Sequence, residues 1–183
     1  AAEKAGFEHF MMKEIHEQPR AVKDTLNSVL KDGKIDLTDI GLAEEDIRRT
    51  SQIYIVACGS AYHVGMVAQY VIEDLVKIPV RVELASEFRY RKPILDPNGL
   101  VIIISQSGET ADSLAALRET KAQGIRTLGI VNVVGSSIAR EADKVFYTLA
   151  GPEISVATTK AYSTQLMASY ILAIQFAKVK NTI

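Results

Sequence analysis

From residue 52 onward, short apolar runs alternate with longer stretches in which apolar residues recur every three or four positions. Residues 52–58, 80–84, 100–104, 126–131 and 144–148 read as strands. The segments 61–77, 110–123 and 160–178 read as helices, with shorter helical turns at 86–91 and 136–142. Leu100-Val-Ile-Ile-Ile104 holds five consecutive apolar residues, four of them β-branched, and predicts a strand buried on both faces. Val80-Arg-Val-Glu-Leu84 alternates with a period of two, which places it near a sheet edge. Strands and helices in this rhythm predict a parallel sheet with helices on both faces and right-handed crossovers.

Before residue 52 the pattern is different. Phe7, Phe10, Met11, Ile15, Val22, Leu26, Val29 and Leu30 recur at helical steps, and Pro19 predicts two helices rather than one. Lys31–Leu37 reads as a turn with a short extended piece, and Glu44–Thr50 as a short helix. Residues 1–50 are thus expected to form a helical leader that packs on the domain or a partner, and 51–183 to form the α/β domain.

Composition narrows the function without choosing it. The chain has 183 residues, 48% hydrophobic and 23% charged, with a net charge of −1. That suits one globular core and gives no basic footprint for nucleic acid or an anionic membrane. No apolar run reaches the ~18–20 residues of a membrane span, and Ala1-Ala-Glu-Lys4 has no signal-peptide core. One cysteine, Cys58, leaves no intrachain disulfide and no CxxC metal site. A cytoplasmic location is expected, with no metal and no cofactor.

Candidate chemistry gathers where strands should end. In a sheet of this kind ligands bind beyond the carboxyl ends of the strands. Three segments there are rich in small polar residues: Cys58-Gly-Ser-Ala61, Ser105-Gln-Ser-Gly-Glu-Thr110 and Glu153-Ile-Ser-Val-Ala-Thr-Thr-Lys160. Ser105, Gln106, Ser107 and Thr110 open a helix, where backbone N–H groups and the helix dipole favour an anion. One N-cap would account for one hydroxyl, not three with an amide. No GxGxxG or GxxxxGK[ST] is present, so a nucleotide site is unsupported and a single phosphate suits the cradle better. Lys160 is a further candidate, since a cation at a helix N-terminus opposes the dipole unless an anion is near. Cys58 reads as a small core residue, and His9, His16 and His63 as structural or solvated. Ser86 is a candidate N-cap. Glu87, Arg89 and Arg91 are either a solvated turn or an interface network with Phe88 and Tyr90 as apolar anchors.

These segments, with Glu83-Leu-Ala-Ser-Glu-Phe-Arg-Tyr-Arg91 and Val156-Ala-Thr-Thr-Lys-Ala-Tyr162, resemble the sugar-isomerase (SIS) domain family over roughly residues 6–178. The leader Phe10-Met-Met-Lys-Glu-Ile-His-Glu-Gln-Pro19 is similar to the start of the isomerase half of the glucosamine-6-phosphate synthase family. The resemblance implies a three-layer, flavodoxin-like αβα sandwich with a five-stranded parallel sheet. It implies phosphate contacts from Ser105, Gln106, Ser107 and Thr110, a sugar-phosphate contact after the first strand from Ser60 and Ala61, and contacts at the sugar's other end from Val156 and Thr158. Ser60-Ala61 stands where that family often has Thr-Ser, which leaves Ala61 at most a backbone contact; Thr158 keeps the hydroxyl of the more usual Ser. The family makes glucosamine 6-phosphate from fructose 6-phosphate and glutamine, with a glutaminase domain ahead of two SIS subdomains; a homodimer is expected from the apolar leader helices and Phe88 with Tyr90. The chain resembles only the first subdomain. No catalytic residue is therefore expected in it, and alone it should bind weakly and turn nothing over. The alternatives are a stand-alone module sensing a phosphosugar, for which a basic DNA-binding segment is missing from residues 1–50, and a dimerisation scaffold.

Overall fold

The computed structural model describes residues 3–183. Helix α1 (Phe10–Asn27) is followed by a hairpin of β1 (Leu30–Lys31) and β2 (Lys34–Ile35), and then by α2 (Glu44–Arg49). Strand β3 (Gln52–Ala57), α3 (Gly59–Val76), β4 (Val80–Leu84), α4 (Ala85–Arg91), β5 (Gly99–Ser105) and α5 (Ala111–Ala122) follow. The chain ends through β6 (Arg126–Val131), α6 (Ser137–Glu141), β7 (Lys144–Tyr147) and α7 (Lys160–Val179). No described helix is long and apolar enough to cross a membrane.

The main sheet has five parallel strands in the order β4-β3-β5-β6-β7, so β4 is an edge strand as its alternation predicted. Counted along the sheet's own strands the order is 2-1-3-4-5, the flavodoxin-like winding. Strand β5 is buried at all seven residues. Its Leu100, Ile102 and Ile104 join Val64, Ala68 and Ile72 of α3 and Ala168, Leu172 and Phe176 of α7 in one core. Val101 and Ile103 face the opposite layer, with Phe88 of α4, Leu117 of α5 and Ile138 of α6. At Gly65 of α3 a Cβ would come within 2.9 Å of Ile55 and Val82, so helix and sheet touch there because the residue is glycine.

Three local expectations change. Pro19 does not divide two helices; it lies inside α1. The Ile15 carbonyl, which the missing N–H of residue 19 would have served, accepts from Gln18 Nε2 at 3.1 Å instead. Ser86 is not an N-cap, because α4 starts one residue earlier with Leu84 in the cap position. Phe88 is no interface anchor: it is 0% exposed inside its own core, whereas Tyr90 is 75% exposed. On the same helix Arg89 pairs with Asp112 at 2.8 Å and Arg91 pairs with Glu83. Tyr170 and Ile174 lie toward the outside of α7 and Leu166 and Met167 are half-buried at the core's edge, while Ala168, Leu172, Ala173 and Phe176 fill the core.

Candidate ligand site at the sheet switch point

The order of the strands reverses between β3 and β5, and a cup of about 290 Å³ opens above their carboxyl ends. Its lining includes Ser60, Ala61, Ser105, Gln106, Ser107, Thr110, Val156 and Thr158. All eight residues singled out from the sequence therefore meet in one place, although they come from three separate loops. A larger groove of about 760 Å³ lies between the hairpin and α7, lined by Lys31, Asp36, Leu37 and Glu44 among others. It lies at the hairpin, away from the carboxyl ends of the strands, and lacks the hydroxyl cluster of the cup.

The turn between β5 and α5 is built by its own side chains. Ser105 Oγ accepts from the Gly108 N–H at 3.1 Å and shares a hydrogen bond with Thr110 Oγ1 at 3.0 Å. Ser107 Oγ accepts from the Glu109 N–H at 3.2 Å. Gly108 sits at φ +67°, and a Cβ there would fall 2.6 Å from the Ser136 Cβ. Glu109 turns outward to α6, accepting from Ser137 N at 2.8 Å and Ser137 Oγ at 2.7 Å. Those two bonds hold its carboxyl below the usual glutamate range. Helix α5 begins at Thr110 without a side-chain cap, which leaves its first N–H groups without the oxygen that normally satisfies them.

The other wall is the loop 151–159, and five residues not named as contacts from the sequence complete the lining: Cys58, Glu153 and Ser155, which lie in the polar segments singled out there, and Ile104 and Gln165, which do not. Glu153 Oε2 accepts from the N–H groups of Thr159 and Ala161 at 3.2 and 2.9 Å, so it fills the N-terminus of α7. Gln165 is buried and lines the cup. A signal for it was available: Ser163-Thr164-Gln165 is a polar run in an otherwise apolar helix. Cys58 Sγ lies 3.9 Å from Ser113 Oγ at the cup's floor, rather than deep in the core. Lys160 is placed elsewhere. It is 1% exposed, and its Nζ lies 3.0 Å from Glu17 Oε2 on α1, so the helix dipole it opposes is offset by a carboxylate of the leader.

A doubly wound α/β domain with an open helix N-terminus at its switch point is a ligand-binding architecture. The chain belongs to the SIS domain family, whose model matches residues 46–175. It is 60% identical over its whole length to a glutamine–fructose-6-phosphate aminotransferase [isomerizing] of Clostridium tetani, of which it covers 30%. It also superposes on the C-terminal domain of glucosamine-fructose-6-phosphate aminotransferase from Francisella tularensis with a TM-score of 0.94 and 48% identity, covering 100% of this chain and 51% of that one. A glucosamine-6-phosphate deaminase from Thermotoga maritima is similar at TM-score 0.77 and 28% identity, over 93% of this chain and 49% of that one. The chain thus spans about 30% of the length of the aminotransferases it matches.

Proposed function

We propose that this chain is the sugar-phosphate-binding part of an enzyme of the glutamine–fructose-6-phosphate aminotransferase kind. The single observation that carries the reading is the pairing of two walls in one cup: a hydroxyl-rich helix start on one side and a carboxylate-capped loop on the other. A phosphate suits the first wall, where Ser105, Gln106, Ser107 and Thr110 and the uncapped N–H groups of α5 supply donors. The second wall suits uncharged hydroxyls, because Glu153 already holds negative charge there. Fructose 6-phosphate or glucosamine 6-phosphate would then lie with its phosphate on α5 and its sugar toward Ser60, the Ala61 backbone, Val156 and Thr158.

In this reading the chain positions and does not react. Moving a proton between C1 and C2 of a sugar needs a group free to exchange one. Glu153 is the lining carboxylate, and it is committed to the Thr159 and Ala161 N–H groups. Phosphate binding energy, remote from C1 and C2, would hold the reacting carbons in register for groups outside this chain. Those groups belong to a second SIS subdomain, and ammonia comes from a glutaminase domain, in a cytoplasmic homodimer. The division into a leader of residues 1–50 and a binding domain of 51–183 is part of the same proposal.

The test is a titration of the chain with fructose 6-phosphate and glucosamine 6-phosphate, followed by amide NMR. Millimolar or tighter binding that shifts residues 105–111 and 155–158, and that is lost in Ser107→Ala/Thr110→Ala, is the expected result. No binding at millimolar sugar phosphate would leave a scaffold. Isomerase activity from the chain alone would refute the division of labour.

A further inference from the structure

The leader helix carries a carboxylate that no ligand-binding role requires. Glu14 lies in the second turn of α1 and is 1% exposed. It points not at a cation but at the backbone of the cup's second wall. Glu14 Oε1 accepts from the Ile154 N–H at 2.6 Å, and its two oxygens receive the Ser155 N–H at 3.4 and 3.3 Å. Burial alone would raise its pKa, but these N–H groups, with Lys160 nearby, outweigh burial and hold the carboxyl below its ordinary range. It is therefore charged at neutral pH and able to hold both amides.

The residues on either side of those amides form the wall. Glu153, Ser155, Val156 and Thr158 line the cup. Val156 is fully exposed, and the loop has no strand or helix of its own between Tyr147 and Lys160. Its place is set instead by side-chain hydrogen bonds to its backbone. Asn132 bonds the Gly151 carbonyl at 2.8 Å and the Ala150 N–H at 3.0 Å. Glu153 holds the far end, and Glu14 holds the middle. Two anchors come from the leader: Thr25 Oγ1, which accepts from the Leu149 N–H at 3.0 Å, and Glu14, which reaches the stretch that lines the cup. The Lys160–Glu17 pair and a Ser163–Gln18 bond at 2.6 Å seat α1 against the start of α7 beside it.

We infer that Glu14 is a positioning residue for sugar recognition: it sets the loop 153–158 against the sugar end of the cup and so couples ligand binding to the docking of α1. This rests on the sugar-phosphate reading of the cup. A buried carboxylate that served stability alone would have no reason to discriminate between ligands. A carboxylate that sets one wall must. Inorganic phosphate, seated on the α5 turn, does not need the loop; a sugar phosphate does.

The experiment compares inorganic phosphate with glucosamine 6-phosphate, by amide NMR titration of the full chain and its Glu14→Ala and Glu14→Gln variants. Glu14→Ala is expected to weaken glucosamine 6-phosphate at least about tenfold while leaving inorganic phosphate within about twofold. Glu14→Gln should recover most of the loss, because its amide oxygen can still accept from Ile154 and Ser155. Equal losses for both ligands, or no loss for either, overturn the inference. If the wild-type chain binds neither ligand, the sugar-phosphate reading itself fails. If Glu14→Ala does not fold, hydrogen exchange on the wild type decides. Slower exchange at Ile154, Ser155 and residues 10–17 with glucosamine 6-phosphate but not with phosphate supports the coupling. The same slowing with both ligands, or with neither, overturns it.

Discussion

Three helices, α3, α5 and α7, start at one cup, and the last two are finished differently. Helix α5 starts at Thr110 with no side-chain cap, behind a turn that Ser105, Ser107 and Thr110 stiffen among themselves, and the carboxylate of its first turn, Asp112, is paired with Arg89. Helix α7 starts at Lys160 with the Glu153 carboxylate already on the N–H groups of Thr159 and Ala161. Both have the same partial positive charge to offer. One has its anion built into the chain; the other has an opening of about 290 Å³ in front of it. A cup with two open helix starts would hold a phosphate in either direction. With the α7 start filled, an anion is left the side of the cup onto which α3 and α5 open, and in the proposed sugar-phosphate reading that fixes which end of the ligand lies there.

The contrast can be broken most severely at Gly108. An alanine there would need φ +67° and would drive its Cβ into Ser136, so Gly108→Ala should destabilise the fold by about 2–4 kcal/mol, seen as a lowered chemical-denaturation midpoint. Next is the open start itself. Ser107→Ala/Thr110→Ala should weaken glucosamine 6-phosphate by about 10–100-fold with little change in stability, measured by calorimetry alongside thermal melting. The filled start gives a smaller and opposite effect. Glu153→Gln removes a negative charge from the cup, so inorganic phosphate should bind about 2–5-fold more tightly, while the melting temperature falls by the equivalent of about 0.5–1 kcal/mol. Tighter phosphate binding without that stability loss would mean that Glu153 is not the anion of α7.

The smallest effect is one of pH. The folded-state pKa of Glu14 lies below its ordinary value of 4.5. Its contribution is fully present above that value and is lost as pH falls through the folded one. The melting temperatures of wild type and Glu14→Gln should therefore differ most at neutral pH and draw together as pH falls below the ordinary value of 4.5 and through the lowered folded one. A constant difference across that range would mean that the carboxylate charge has no part in holding the loop.

Much of this was legible in the sequence where one residue answers to one rule. The β-branched run 100–104 could only be a central strand, and the alternation of 80–84 placed it at an edge. The three polar loops were expected to converge because parallel strands bring their carboxyl ends to one side. What was not legible depended on partners far along the chain. Pro19 reads as a helix breaker until Gln18 is seen to serve the Ile15 carbonyl. Phe88 reads as an anchor for a partner until the opposite layer closes over it. Glu153 and Lys160 lie in a loop singled out for its chemistry, yet their roles turn on backbone amides and on Glu17, which no local pattern encodes. Glu14 itself is one more acidic residue on a helix with several.

The bond from Glu14 to Ile154 joins residues 140 apart. Such a closure is entropically late: the intervening chain must be ordered before the contact can repay it. The sheet and the α5 turn can be in place while the cup still lacks one bank, because that bank waits for the first helix to meet the last. Recognition of a sugar phosphate would then be the last property a folding molecule acquires and the first a loosening one surrenders, ahead of any change in its secondary structure. A binding assay on this domain would register partial unfolding that circular dichroism would miss.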